Sequence, residues 1–181
     1  MTVYRLFPYD ESAAPNERGG ALFVPPGGRN RIDNPRSYSV LYVAANPEAA
    51  IAETFGRLAV WTPETFLHSS GRSYALAAYE IPDDLAIFNL DDVDALKTIG
   101  IMRPTNVITR DRAKTQAWAQ TIFDIGTYEG ASWWSYYRPD WTIIGLWNYG
   151  SVRLMGTAHT VTSSSAVVQA TAAPIVRQIA P

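Results

Sequence analysis

The pattern of hydrophobic and polar positions is most regular between residues 39 and 56, where an apolar run precedes a helical repeat. Residues 39–44 are rich in β-branched and aromatic types, which predicts a buried strand. Asn46 is a preferred N-cap, Pro47 suits the first helical position, and Gly56 is placed to end the helix after about two and a half turns. The stretch therefore predicts a strand followed directly by a helix.

One face of this helix is apolar, and another carries a carboxylate. Ile51 and Phe55 are four residues apart and form the core stripe. Glu53 lies two residues from each of them, so its side chain is expected to point away from the core, over the small side chains of the preceding turn. The alternative is an i,i+4 ion pair with Arg57, worth a few tenths of a kcal/mol.

Periodicity elsewhere predicts further strands and helices. The strands are expected at residues 2–7, 74–81, 85–90 and 142–146, and a long helix at 109–125. The buried face of this helix is expected to contain Ala113, Trp118 or Ala117, Thr121, Ile122 and Ile125. Ser163 to Ser165 could cap a further helix, which Pro174 would interrupt.

Two groups of residues raise the question of a metal site. Asp91 and Asp92 precede an apolar-periodic segment, but they lack the glycine and the spacing of a calcium loop, so we favour a helix cap. His68 and His159 have no acidic partner pattern, and each is expected at the surface. We therefore expect no metal.

Composition narrows the class of protein. The 181 residues suit one domain, 1–181, and 47% hydrophobic with 18% charged residues is typical of a soluble globular protein. A net charge of −2 without a Lys/Arg cluster offers no basic surface for nucleic acid or membrane. The absence of cysteine excludes disulfides and thiolate catalysis. With neither a signal peptide nor a membrane-spanning run in the sequence, a cytoplasmic location is expected.

Two loop arginines precede the first strand–helix unit. Arg29 and Arg31 lie between Pro/Gly-rich and Asp-Asn-Pro turn sequences. A guanidinium on such a loop can hold an anionic ligand, although loop arginines are usually solvated. Tyr42 is 11 positions after Arg31, and Glu53 is 11 positions after Tyr42.

Ser135 lies among aromatic residues in the second half of the chain. Clustered Trp and Tyr side chains most often pack in the core or at its rim. They can also form a pocket for a flat ring such as nicotinamide or adenine. A serine-hydrolase site is not favoured, because neither a nucleophile elbow nor a histidine base accompanies Ser135.

Several short motifs together resemble the RES domain family, the toxins of RES-Xre toxin–antitoxin pairs. They are Arg-Ile-Asp-Asn-Pro, Val-Leu-Tyr-Val, Asn-Pro-Glu-Ala-Ala-Ile-Ala-Glu and the later Gly-Ala-Ser-Trp-Trp-Ser. Arg31, Glu53 and Ser135 match the arginine, glutamate and serine for which the family is named. Tyr4-Arg5 resembles a further Tyr/Arg pair at the family's site. The resemblance runs from about residue 3 to about residue 155.

This resemblance implies a fold, a reaction and a partner. The fold is α+β, an ADP-ribosyltransferase-like core of two small, mostly antiparallel β-sheets with flanking helices. NAD would be the substrate and not a bound cofactor, and cleavage would occur at the nicotinamide–ribose bond. The expected partner is an Xre-type antitoxin protein, which would supply any contact with DNA.

The resemblance also implies roles for the charged residues. An ionised Glu53 would stabilise the positive charge that develops on the ribose. Arg31 and Arg5 would hold the pyrophosphate. Arg29 is an alternative to Arg31, because it follows a Gly-Gly pair as the family arginine often does, but Arg31 keeps the unshifted spacing to Tyr42.

The remaining matched residues would bind the substrate. Tyr42 would stack on or bond to the nicotinamide ribose, Tyr4 would lie at the site, and Ser135 would orient the substrate. The acceptor stays open: water would make the protein an NAD glycohydrolase, phosphate an NAD phosphorylase, and a protein side chain an ADP-ribosyltransferase. A catalytically silent module that binds a nucleotide or the Xre-type partner is a further alternative. The segment after residue 155 is assigned no role.

Overall fold

The computed structural model describes residues 1–103, 107 and 109–181. The strands are Thr2–Pro8 (β1), Leu41–Ala44 (β2), Val60–Trp61 (β3), Tyr74–Glu80 (β4), Ile87–Asn89 (β5), Gly130–Trp134 (β6), Thr142–Leu146 (β7), Arg153–Thr160 (β8) and Gln178–Ile179 (β9). The α-helices are Pro47–Phe55 (α1), Val93–Thr98 (α2), Arg112–Ile125 (α3) and Ala166–Ala172 (α4), and Pro63–Phe66 forms a 3₁₀ turn.

Seven strands form one sheet in the order β5-β6-β7-β2-β1-β4-β8, and β3 pairs with β9 in a second, two-stranded sheet. Of the strand pairs of the large sheet that the described residues form, β5–β6 is parallel and the others are antiparallel. The predicted α+β class with two sheets is confirmed, and the two sheets are unequal in size. At the centre, β1 pairs with β4 over seven residues but meets β2 in register only at Tyr4 and Ala44.

Apolar side chains cover both faces of the large sheet. Successive residues of a strand point to opposite faces, so each strand contributes to both layers of the core. On β1, Val3 and Phe7 are buried in one cluster, whereas Tyr4 and Leu6 pack against the other. Helix α1 lies on the face of Tyr4 and Leu6, since Ile51 belongs to the same cluster. This alternation decides which side chains can share a site with α1.

Helix α1 forms where the sequence predicts it. The Asn46 side chain accepts a hydrogen bond from the Ala49 amide at 2.7 Å, and the Gly56 amide donates to Ala52 O at 2.7 Å. Ile51 and Phe55 are buried, as the apolar stripe requires. The start, the end and the buried face of this helix are all encoded between Asn46 and Gly56, which is why local signals suffice.

Helix α3 begins later than predicted and buries a different face. It starts at Arg112 after an Asp111 cap, and Gly126 ends it with a left-handed φ of 77°. The buried residues are Thr115, Trp118, Ala119 and Ile122. Trp118 and Ile122 are thus predicted correctly, whereas the following predicted members are exposed: Ala113, Ala117, Thr121 and Ile125. The buried face of α3 includes Thr115. Its hydroxyl donates to Arg112 O within the helix at 3.3 Å, so the side chain can be buried with its hydrogen bond made.

The predicted helix cap at the acidic pair is confirmed, since Asp92 Oδ1 accepts from the amides of Asp94 and Ala95 at 2.8 and 3.3 Å. Among the residues the structure describes, no cluster of three or more His, Asp or Glu side chains could hold a metal ion. Nor does any described helix combine the length and the apolar character needed to cross a membrane.

Candidate active site

A cavity of about 820 Å³ lies between α1, the loop before β2 and the residues around β6. Its wall includes five of the residues singled out in the sequence, which are Tyr4, Arg5, Arg31, Tyr42 and Glu53. Arg29 is exposed and is not part of the wall, so the structure brings Arg31 and not Arg29 to the other candidates. Ser135 is fully buried directly behind Glu53.

Glu53 and Ser135 form the central contact. Ser135 Oγ donates to Glu53 Oε1 at 2.6 Å and accepts from the Tyr137 amide at 3.2 Å. The Ser135 amide donates to Trp141 O at 2.7 Å, which fixes the backbone. Ser135 has no exposed surface and is not part of the cavity wall, so its hydroxyl contacts Glu53 and does not face the cavity. Ser135 therefore holds the Glu53 carboxylate in place from behind.

The carboxylate of Glu53 faces the cavity under opposing influences. Burial by the cavity walls raises its pKa, whereas the Ser135 hydroxyl, the Arg31 guanidinium and the Tyr136 amide lower it. Among the ion pairs within the described chain, none joins Glu53 to Arg57, so the helical pair considered from the sequence is not formed. Burial has the largest effect, so the pKa of Glu53 is raised overall, and the three favourable contacts only limit the rise.

Arg31 is held at the cavity wall by its own contacts. Its Nη1 donates to Val107 O at 2.6 Å, and its guanidinium carbon lies 5.9 Å from the centroid of the Trp133 ring. Burial and the charge of Arg112 lower its pKa, while Glu53 raises it. Arginine stays protonated at any physiological pH. Arg31 therefore brings a fixed positive charge close to Glu53.

Asp33, which was not among the residues predicted from the sequence, organises the loop that carries Arg31. Its carboxylate is 3% exposed and accepts from Tyr42 Oη at 2.7 Å and from the amides of Arg29 and Asn30 at 3.1 and 2.9 Å. Burial and Asp33 raise the pKa of the Tyr42 phenol. The Tyr42 hydroxyl is thus committed to the loop, and its ring supplies cavity wall. The Asp-Asn-Pro turn was the available signal, since Asp accepts backbone hydrogen bonds in turns.

Arg5 lies on the other face of the sheet from the Glu53 site. Strand alternation groups its side chain with Val3 and Phe7, and its Nη1 donates to Ala21 O at 3.3 Å. Burial lowers its pKa, and the Tyr79 hydroxyl raises it. Arg5 contributes to the cavity wall where β1 and β2 diverge, but its guanidinium is not directed to the same side as that of Arg31. Both arginines line the same cavity, and the expectation that they hold one pyrophosphate stays a prediction.

Other arginines complete the wall, and these come from distant parts of the chain: Arg57, Arg110, Arg112 and Arg177. Arg110 lies over the ring of Tyr136 at 5.6 Å, and Arg177 Nε donates to Gly56 O at 2.7 Å. With Arg31 they outnumber the carboxylates of the wall, Asp33, Glu53 and Asp91. A cavity with this excess of positive charge favours an anionic ligand.

Comparison with known proteins identifies the fold and the family of the chain. A chain in the crystal structure of the M. tuberculosis MbcT–MbcA toxin–antitoxin complex is similar in fold, with a TM-score of 0.58 and 15% identity over 89% of this chain and 84% of that chain. No curated protein matches. The family model of the RES domain matches residues 2–159, which include Arg31, Glu53 and Ser135. The chain therefore belongs to the RES domain family.

Proposed function

We propose that this protein is the toxin of a toxin–antitoxin pair and that it cleaves NAD at the nicotinamide–ribose bond. The observation that carries the proposal is the Glu53 carboxylate, held by Ser135 at 2.6 Å inside a cavity whose wall is rich in arginine. NAD presents a pyrophosphate for the guanidinium groups and a scissile ribose carbon for the carboxylate. NAD is consumed as a substrate, so no resident cofactor is required.

Glu53 would act on the charge that forms during cleavage. The bond between ribose C1′ and the nicotinamide nitrogen breaks, and its electron pair stays on the nitrogen, which leaves positive charge on the ribose. One opposite charge about 4 Å away, at an effective dielectric near 20, contributes roughly 4 kcal/mol, or about a thousandfold in rate. Ser135 directs its hydroxyl at Oε1 and so fixes the carboxylate before the charge appears.

The leaving group explains why this site needs no general acid. Nicotinamide is a pyridinium in the substrate and departs as a neutral molecule, so no proton has to be delivered to it. His68 and His159, both described by the structure, stand outside the cavity wall. The cationic ribose is then captured by an acceptor, which loses its proton to solvent. Water gives ADP-ribose, inorganic phosphate gives its 1-phosphate ester, and a protein side chain gives an ADP-ribosylated protein.

A partner protein forms the second part of the proposal. The fold neighbour is a toxin–antitoxin complex, and by family resemblance the partner of this chain is an Xre-type antitoxin that covers the mouth of the Glu53 cavity. Tyr136 is 70% exposed beside Arg110 at the cavity wall and offers an aromatic contact for such a partner. A complex that leaves NAD turnover unchanged would contradict this part of the proposal.

The experiment that tests the activity measures nicotinamide release from NAD by the purified, partner-free protein. Wild type is compared with Glu53→Gln and with Glu48→Gln, a control on the same helix outside the cavity wall. Release by wild type and Glu48→Gln, with a loss of about a thousandfold in Glu53→Gln, supports the proposal. Dependence on added phosphate separates a phosphorylase from a hydrolase. No release by folded wild type in either buffer would refute NAD cleavage to a small acceptor.

A further inference from the structure

The chain beyond residue 159 lies outside the match to the RES domain, yet one of its side chains reaches the Glu53 cavity. Helix α4 packs against α1, and β9 pairs in parallel with β3, the strand that follows α1. Arg177 lies immediately before β9, and its side chain lines the cavity. The function proposed so far gives this segment no task.

A strained turn directs Arg177 to the cavity. Val176 has a left-handed φ of 55°, which a β-branched residue rarely adopts, and its side chain is 84% exposed, so its own burial does not offset the strain. Such strain persists where the surroundings fix the backbone. Here the Arg177 amide donates to Ala172 O at 2.8 Å, and Arg177 Nη1 donates to the carbonyl oxygens of Ile175 and Val176 at 2.7 and 3.2 Å. The side chain of Arg177 therefore holds the turn that orients it.

Direct contacts connect Arg177 to Glu53. Arg177 Nε donates to Gly56 O at 2.7 Å. The ring of Tyr137 lies so close to Gly56 that a Cβ at residue 56 would come within 2.5 Å of two ring carbons. The Tyr137 amide donates to Ser135 Oγ, which itself donates to Glu53. Arg177 thus lies beside the catalytic carboxylate, at the C-terminal end of α1.

Arg57 brings a second positive charge to the same end of α1. Gly56 keeps helical dihedral angles, φ −61° and ψ −18°, so Arg57 follows Glu53 by about one helical turn, roughly 6 Å along the axis. Both Arg57 and Arg177 line the cavity. Within the described residues Arg57 forms no hydrogen bond or ion pair, and Arg177 bonds only to backbone carbonyls. Burial and Glu53 raise the pKa of the Tyr137 phenol, and the charges of Arg177 and Arg57 lower it, as their closeness requires.

We propose that Arg177 and Arg57 form an anion subsite beside Glu53 that binds a phosphate group. This inference rests on the proposed NAD cleavage and gives the C-terminal segment a part in it. Guanidinium groups match the geometry and the charge of phosphate. The backbone bonds of Arg177 fix its guanidinium before the ligand arrives, so little side-chain freedom is lost on binding. The phosphate belongs either to the pyrophosphate of NAD or to the inorganic phosphate that accepts the ribose.

The test measures kcat and KM for nicotinamide release from NAD at several concentrations of inorganic phosphate. Wild type is compared with Arg177→Gln, Arg57→Gln and the control Arg153→Gln. Arg153 also donates from Nη1 to a backbone carbonyl, Gly150 O at 3.2 Å, but it lies outside the cavity wall. Arg57→Gln removes a charge without breaking a hydrogen bond of the described chain, so it tests the subsite without the structural loss that Arg177→Gln carries. Thermal unfolding of each variant establishes that it is folded.

The two sources of the phosphate group give different results. If the group belongs to NAD, we expect KM for NAD to rise roughly 10- to 100-fold in Arg177→Gln and Arg57→Gln. If it is free phosphate, KM for NAD stays the same, and the phosphate concentration that gives half of the maximal stimulation rises by that factor. Arg153→Gln should behave as wild type. A loss confined to kcat, or no change at all, in both folded variants would overturn the inference and leave NAD cleavage standing.

Calorimetric titration with ADP-ribose and with inorganic phosphate measures binding apart from turnover. We expect wild type and Arg153→Gln to bind one of these two probes at least tenfold more tightly than Arg177→Gln and Arg57→Gln. If folded wild type releases no nicotinamide but this difference is found, the proposed function fails and the anion subsite stands. Equal binding of both probes by all four proteins would overturn the subsite.

Discussion

Replacing Ser135 by alanine removes the hydroxyl that donates to Glu53 Oε1 at 2.6 Å. The substitution deletes one oxygen from a fully buried site and leaves the backbone bond to Trp141 O in place. The Tyr137 amide also loses its 3.2 Å acceptor. The main change is therefore a Glu53 carboxylate with one stabilising hydrogen bond fewer.

The magnitude follows from the type of bond. A hydrogen bond to a charged group contributes about 1.5–3 kcal/mol, and the lower end applies here because Glu53 is open to water in the cavity. About 1.4 kcal/mol corresponds to tenfold in rate. We expect kcat/KM for NAD to fall roughly tenfold near neutral pH. A loss as large as that of Glu53→Gln would mean that Ser135 takes part in the chemistry directly.

The pH dependence distinguishes this explanation from simple misfolding. Burial raises the pKa of Glu53, and the Ser135 hydroxyl lowers it, so removal of the hydroxyl raises the pKa further. The acidic limb of the pH–rate profile should move to higher pH in Ser135→Ala, and the deficit should shrink as pH rises. Nicotinamide release measured from pH 4 to 9 gives both quantities.

The control for this prediction is Ser132→Ala. Ser132 lies on β6, the strand that ends just before Ser135, and it does not contact Glu53. It should leave the profile unchanged. An acidic limb that stays at the same pH in Ser135→Ala, with the protein folded, would refute the assigned role of the Ser135–Glu53 hydrogen bond.

Three further predictions concern stability. The folded-state pKa of Glu53 is raised, so ionisation of this carboxyl lowers the stability of the fold as the pH rises above the ordinary carboxyl pKa. Glu53→Gln should therefore raise Tm more at pH 8 than at pH 4. An equal or opposite change in Tm would contradict this. Asp33→Ala leaves three donors without their acceptor and should cost about 3 kcal/mol, or roughly 6–12 °C in Tm, with Tyr42→Phe as the milder control. A chain that ends at residue 159 loses Val161, Val168 and Ile175 from the core, which together contribute about 5–9 kcal/mol; it should not fold, and a cooperative unfolding transition by circular dichroism would contradict that.

Local signals explain how much of the fold the sequence could predict. For α1, the cap, the first-position proline, the apolar stripe and the terminating glycine all lie in one short segment. For α3, the buried face depends on what packs against it, and Ile125 is 45% exposed although it continues an apolar pattern. Strand β8 has exposed side chains on both faces and is held by pairing with β4. Its sequence therefore lacks the alternation of hydrophobic and polar residues from which a strand is predicted.

The part of the site that lies within short sequence motifs could be predicted. The motif resemblance identified Arg31, Glu53 and Ser135, and the structure brings these three together. It could not tell that Ser135 stands behind Glu53. The motif resemblance placed Tyr4 and Arg5 together at the site, but neighbouring residues of a strand point to opposite faces, so only Tyr4 faces α1.

The positive charge of the cavity comes from arginines that lie far apart in the sequence. They come from loop, helix-terminal and C-terminal segments, so no stretch of sequence shows that they meet. Arg112 lowers the pKa of Arg31, which means that the two positive charges repel each other in the free protein. A ligand with two adjacent phosphates relieves that repulsion at the moment it binds, whereas a neutral nucleoside leaves it in place. We therefore expect a dinucleotide to bind more tightly than its nucleoside parts, and we expect this preference to weaken with added salt as the guanidinium charges are screened.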